Sequence, residues 1–222
     1  MKVSISPEHF KAIENNFKNF ILEENHPCMM ARSVFKMERY DLNLYEEMTR
    51  NTTAAAILQD LKIFLENTEL NATEYRSFVA LFPNNHFEDE LTFEKSLWKT
   101  LQNLHDQDPH PWDTMVSHDP ENAEFSFSLL GNAFYIIGLH PNSSRKSRQS
   151  PYTALVFNLH SQFEKLREMG KYEKIRNLVR KDDEKLQGNI NPVLQDFGEE
   201  SEARQYSGRH VESNWKCPFH HK

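Results

Sequence analysis

Apolar residues recur at helical spacing near the start of the chain, where Phe10, Ile13, Phe17, Phe20 and Ile21 fall on one stripe. Ser6-Pro7 ahead of them offers a capping hydroxyl and a proline at the first helical position, so a helix is predicted that ends before His26-Pro27. A second helix is predicted after Thr52 or Thr53, with Ile57, Leu58, Leu61, Phe64 and Leu65 on its inner stripe. A third begins at Thr92 and carries Phe93, Leu97, Trp98, Leu101 and Leu104.

Period-two patterning marks the strands. Tyr75 to Pro83, "YRSFVALFP", reads as a strand stopped by proline. In "EFSFSLLGNAFYIIGLH", Phe125, Phe127 and Leu129 alternate with Ser126 and Ser128, Gly131-Asn132 supplies a tight turn, and Ala133 to Leu139 returns. That pattern is a hairpin, and its apolar return strand predicts a central position. Tyr152 to His160 is a further strand. Two helices follow, with Phe163, Leu166 and Met169 on one and Tyr172, Ile175 and Leu178 on the other, separated by Gly170. Beyond Gly188 the periodicity fades. The reading is a single α+β domain over residues 1–222: a mainly antiparallel sheet packed by helices, with a long irregular C-terminal segment.

The 222 residues include 16 Phe, seven Tyr and three Trp, enough for a sizeable core despite the polar average. No apolar leader and no membrane-length apolar run is read, so the expectation is a soluble, cytoplasmic protein without a membrane partner. A net charge of -7 argues against non-specific nucleic-acid binding. The two cysteines, Cys28 and Cys217, are expected as free thiols.

Eleven histidines are scattered without zinc-site spacing, and phosphate-binding glycine loops and the nucleophile elbow are lacking. Cys217 in "WKCPF" stands apart. Pro218 contributes no N–H, so a thiolate there would need donors such as Phe219, His220 or the Trp215 indole. The segment could present sulfur to haem iron, or simply pack Trp215 and Phe219 onto the core. In "GLHPNSSRKSRQSP", His140 is either an ordinary loop residue or an iron ligand. Arg145 and Arg148, three apart, could clamp two carboxylates, haem propionates among them, or solvate a loop face. Arg180 to Lys185 reads as a solvated helix face, and Gly188, Asn189, Asn191 and Pro192 as a rigid polar turn able to line a pocket.

Segments in order along the chain, "HPCMMAR", "LWKTLQNLHDQD", "WDTMVSHDP", "FSFSLLGNAFYIIGLHPNSSRKSR", "ALVFNLHSQFEKLR", "LQGNINPVLQDFGEESEARQYSGR" and "WKCPF", resemble the YqcI/YcgG family from about Pro27 to Phe219. Within it, the resemblance is to the haem-dependent N-hydroxylases of the guanitoxin pathway. It implies a haem b enzyme that hydroxylates a guanidino nitrogen of L-arginine or an arginine-derived amino acid, the C-terminal segment closing the haem site. Cys217 is then the first choice of axial ligand, with Trp215 beside it; His140 is the rival and Cys28 the outsider. Arg145, Arg148 and Arg32 are candidates for the propionates. Glu94, Asp119 and Asp182 are candidates for the substrate guanidinium, and Asn158 and Asn191, with Gln187 and Asn189, for further pocket contacts. The sequence has no flavin or nicotinamide fingerprint, so the reading includes a separate electron donor for O2, or peroxide in its place. Oligomeric state stays open. A haem sensor or carrier without oxygenase activity is the alternative, and a cofactor-free structural protein a third reading.

Overall fold

The computed structural model describes residues 1–23, 26–68, 75–191 and 195–222, so Pro192 of the predicted polar turn lies outside the described residues. Among the described residues, six helices pack on a five-stranded sheet. Along the chain they run α1 (Pro7–Leu22), α2 (Met29–Lys36), β1 (Tyr40–Leu44), α3 (Asn51–Glu66), β2 (Ser77–Phe82), α4 (Glu90–Gln107), β3 (Phe127–Leu129), β4 (Asn132–Leu139), β5 (Thr153–Leu159), α5 (His160–Glu168) and α6 (Tyr172–Gln187). The strand order is β1-β2-β5-β4-β3. Only the β1–β2 pair is parallel, and α3 is the crossover that parallel pairing requires. The expected α+β class, with a mainly antiparallel sheet, is thus the observed one.

Each helix start has a local cause. The Ser6 hydroxyl accepts the His9 N–H at 3.2 Å and Pro7 opens α1, while the Asp89 carboxylate accepts the Thr92 N–H at 2.7 Å ahead of α4. Caps of this kind contribute about 1 kcal/mol each. Two elements escaped the sequence reading. The α2 helix has eight residues and uses Cys28, a poor cap, whose sulfur accepts the Ala31 N–H. In β1, Tyr40, Leu42 and Leu44 alternate with Asp41 and Asn43, but five residues make a weak signal.

The two sheet faces bury different helices. Phe78, Ala80, Leu155, Phe157, Phe134 and Ile136 face α3 and α4, and Phe127 and Leu129 extend that layer. Val79, Leu81, Ala154, Val156 and Leu139 face α1 and α2. The C-terminal segment is irregular apart from a 3-10 turn at Glu202–Gln205, and it folds back onto the α3–α4 side. Buried Glu94 of α4 holds it. Its carboxylate accepts from Arg209 Nε (3.0 Å) and Nη2 (3.1 Å), Ser207 Oγ (3.0 Å) and Trp215 Nε1 (3.1 Å).

Gly138 shows how closely this segment lies on the sheet. β3 pairs with β4 only as far as Phe134, so the Gly138 N–H further along is free to donate to Tyr206 O at 2.8 Å. A Cβ on Gly138 would lie 2.6 Å from Leu97 Cδ1, 2.8 Å from Tyr206 O and 2.9 Å from Phe93 Cε1. One of these atoms is backbone and cannot turn aside. Gly138→Ala is therefore expected to lower unfolding stability by about 1–3 kcal/mol in denaturant titration; an unchanged midpoint would contradict this packing.

Candidate functional site

On the α1–α2 face, successive rows across β2, β5 and β4 change character. Leu81–Ala154–Leu139 and Val79–Val156–Ile137 are apolar, whereas the next row is Ser77–Asn158–Tyr135. Over that end of the sheet lies a cavity of about 280 Å³, roofed by α5 and α6 and walled by α1, α2 and the C-terminal segment. Its volume is near the lower end for small-molecule sites. Phe17, Ile21, Val34, Phe163, Leu166 and Val179 make much of the wall apolar. A few polar groups interrupt it.

Arg148 is the first. It is buried, lines the cavity, and donates from Nη1 to Gly138 O (2.9 Å) and from Nη2 to Gln205 O (3.3 Å). Among the described residues no carboxylate comes within ion-pair distance of it. Burial pulls its pKa below the ordinary arginine value, against the opposing pull of Tyr135, Asp183 and Cys28. A guanidinium stays charged even so, leaving a cation available to an anionic ligand.

Cys28 lines the same cavity at the N-terminus of α2. Burial raises its thiol pKa, while the Ala31 and Met30 N–H groups and the Arg148 charge pull it down. Buried His26 fixes this corner. Its Nε2 lies 3.0 Å from Ser147 O and must donate, so Nδ1 is the acceptor for the Cys28 N–H at 3.2 Å. Burial pushes its pKa down to about 4, which keeps the ring neutral. The tripeptide His26-Pro27-Cys28 is thus a positioned thiol.

The opposite chemistry comes from Glu202, in the 3-10 turn of the C-terminal segment. It is 4% exposed, and Tyr206 Oη donates to its Oε2 at 3.3 Å. Burial pushes its pKa up to about 8, against the pull of the Ser126 and Tyr206 hydroxyls. His160 Nδ1 stands 3.8 Å from Oε1. The other cavity carboxylates are engaged: Asp183 with Arg145, and Asp196 with Arg176 and Arg180.

The residues selected from sequence scatter around this arrangement. Arg148, Asn158 and Asn191 line the cavity. Arg145 does not; it is spent on Asp183 and on Asn189, whose side-chain and backbone oxygens both accept from it. Arg32 is exposed on α2 and lies outside the lining. Glu94 is saturated by the C-terminal latch, exposed Asp119 caps its own turn by accepting the Glu121 N–H, and Asp182 pairs with Lys185. His140 is fully buried and stacked on Phe93 at 4.4 Å, outside the lining. Cys217 and Trp215 lie on the α3–α4 side of the sheet. There burial pushes the Cys217 thiol up to about 12. Cys217 lies outside the cavity lining, packed in an aromatic core, and the thiol on the cavity wall is Cys28. The site groups the sequence reading missed, His26, His160 and Glu202, sit inside quoted segments, but only tertiary burial distinguishes them from neighbouring polar residues.

The fold is α+β, and it carries a largely apolar, partly open cavity on the α1–α2 face of the sheet. A family model described as "YqcI/YcgG family" matches residues 17–220, and the chain belongs to that family. It is similar to a Bacillus subtilis (strain 168) protein described as "Uncharacterized protein YqcI", 26% identical over 212 residues, covering 89% of this chain and 81% of that one. No solved structure matches the chain significantly. Among the described residues no helix is long and apolar enough to cross a membrane.

Glu202 has a consequence for stability. With its folded pKa about 8, above the unfolded value, the native state holds a proton the unfolded state has released, so this contribution is full below about pH 4.5 and lost through pH 8. Glu202→Gln mimics the protonated form. Relative to wild type, its unfolding free energy should rise from pH 5 to pH 8.5 by on the order of 2–4 kcal/mol. Parallel pH profiles for the two proteins would refute a buried protonated Glu202.

Proposed function

We propose that the protein is a haem-dependent monooxygenase that N-hydroxylates a guanidino nitrogen of L-arginine or an arginine-derived amino acid, and that the cavity between the sheet and α1, α2, α5 and α6 is its site. The observation that carries the reading is the joint presence, on one largely apolar cavity, of a thiol, a buried cation with no carboxylate partner among the described residues and a buried carboxylic acid. The resemblance of the long ordered segments to haem-dependent N-hydroxylases supplies the chemical class.

Haem bound at this partly open cavity would meet apolar side chains along its macrocycle, with Cys28 to offer sulfur to iron and Arg148 a cation to a propionate. Bound haem would supply the oxygen-activating chemistry that no side chain can perform. The chain's own work is to bind, orient and desolvate. Arg148 lowers the cost of a thiolate at Cys28. The His26 ring holds the Cys28 backbone in place through an acceptor nitrogen, and the apolar walls exclude bulk water. Reducing equivalents come from a separate donor, or peroxide replaces oxygen and electrons.

Reconstitution with haem tests this. The wild type and Cys217→Ser are expected to give a thiolate-type ferrous-CO spectrum, and Cys28→Ser to lose it while keeping bound haem. Loss in Cys217→Ser with retention in Cys28→Ser would overturn the ligand assignment. Haem uptake with no hydroxylated product, given L-arginine and related guanidino amino acids together with a reductant or peroxide, would favour a sensor or carrier.

A further inference from the structure

We propose that Glu202 and His160 form the counter-ion site for a planar cation with several N–H donors, such as a guanidinium, and that its binding releases a proton from Glu202. This deepens the reading of the cavity as a guanidino-compound site and rests on it for the identity of the ligand.

Three observations carry the proposal. Glu202 is almost fully buried, yet it lines a cavity able to admit a ligand. Its hydrogen-bond donors are hydroxyls, and among the described residues no Lys or Arg nitrogen lies within ion-pair distance of it. Beside it, buried His160 contacts Glu164 through Nε2 at 3.1 Å, while Nδ1 makes no hydrogen bond in the cavity wall. A buried acid and a ring nitrogen with unmet capacity thus stand side by side, 3.8 Å apart. Buried polar atoms are normally hydrogen-bonded, so the unpaired Nδ1 beside the acid leaves a place for an incoming N–H donor.

The surrounding charges favour a cation only once Glu202 ionises. Facing it are His160, Glu164 and Arg167 of α5, Tyr135 of β4 and Tyr206 of its own segment, with Asp113 acting on His160. Arg167 is held by Glu164 and lies over the Tyr172 ring at 4.2 Å, so it does not serve as the counter-ion. Burial keeps the acid neutral near pH 7. A guanidinium offers paired N–H donors that match two carboxylate oxygens, and its charge reverses the balance. The proton leaves to solvent, and the buried pair that remains is net neutral.

The discriminating experiment is calorimetric titration of the full-length, haem-reconstituted protein with L-arginine at pH 7, in phosphate and in Tris. L-citrulline is its neutral isostere. Wild type is expected to bind L-arginine with release of about one proton, seen as a buffer-dependent enthalpy. L-citrulline should bind at least tenfold more weakly and without proton release. Glu202→Gln keeps the shape of the neutral acid and should fold and take up haem normally. It should bind L-arginine at least tenfold more weakly, with a buffer-independent enthalpy. Equal affinity or equal proton release in Glu202→Gln overturns the proposal, as does no binding of L-arginine to haem-loaded wild type. Failure of the oxygenase reading appears separately, as absence of haem uptake; the same titrations on haem-free protein then decide the Glu202 proposal by the same criteria.

Discussion

A guanidinium buried against backbone carbonyls, with no carboxylate of the described residues within ion-pair distance, ties the sheet to the C-terminal segment. Arg148 reaches Gly138 of β4 and Gln205 of the C-terminal segment, and Gly208 packs on it with a positive φ of 81°. A Cβ at Gly208 would stand 3.1 Å from Arg148 Cγ, so both the backbone conformation and the space there favour glycine. Removing a cation from water costs several kcal/mol, and carbonyl dipoles return only part of that. The Asp183 carboxylate, itself paired with Arg145, also favours the charge. An anionic ligand would complete the compensation.

From this constraint the roles of the two ends of the chain follow. The segment "HPCMMAR" near the N-terminus supplies a neutral histidine, a thiol and a helix start on one wall of the cavity. The C-terminal segment supplies the acid Glu202 and the carbonyls that hold Arg148, and Glu94 secures it from the other side of the sheet. Trp215, Cys217 and Phe219 are the far end of that latch. Phe219 sits within 5.4 Å of the Phe127 ring and 5.8 Å of the Trp112 ring, measured between centroids. The tail thus anchors the segment that carries Glu202 and Gln205.

Much of the fold was legible because its elements are long and regularly patterned. The Phe10–Ile21 stripe behind Ser6-Pro7 became α1, and the Phe–Ser alternation with Gly131-Asn132 became the β3–β4 hairpin. The short α2 and β1 were not legible, because eight and five residues carry too little periodicity and α2 starts on a cysteine. The site was legible only in part. Arg148, Asn158 and Asn191 were found through the segments that contain them, but equal weight fell on Arg145, whose partner Asp183 lies 38 residues away. Glu94 and Glu202 are both buried glutamates, at 5% and 4% exposure. What separates them is that Arg209 neutralises one while the other lacks a strong cationic partner, a difference written in tertiary contacts.

The claim on which everything else rests is that chemistry belongs to the cavity on the α1–α2 face, with Cys28 as its thiol. Iron anomalous scattering from crystals of haem-reconstituted protein measures this most directly. The account predicts a single iron peak at bonding distance from the Cys28 sulfur, with the propionates directed toward Arg148. An iron peak at Cys217 or His140, on the other side of the sheet from Cys28, would contradict it.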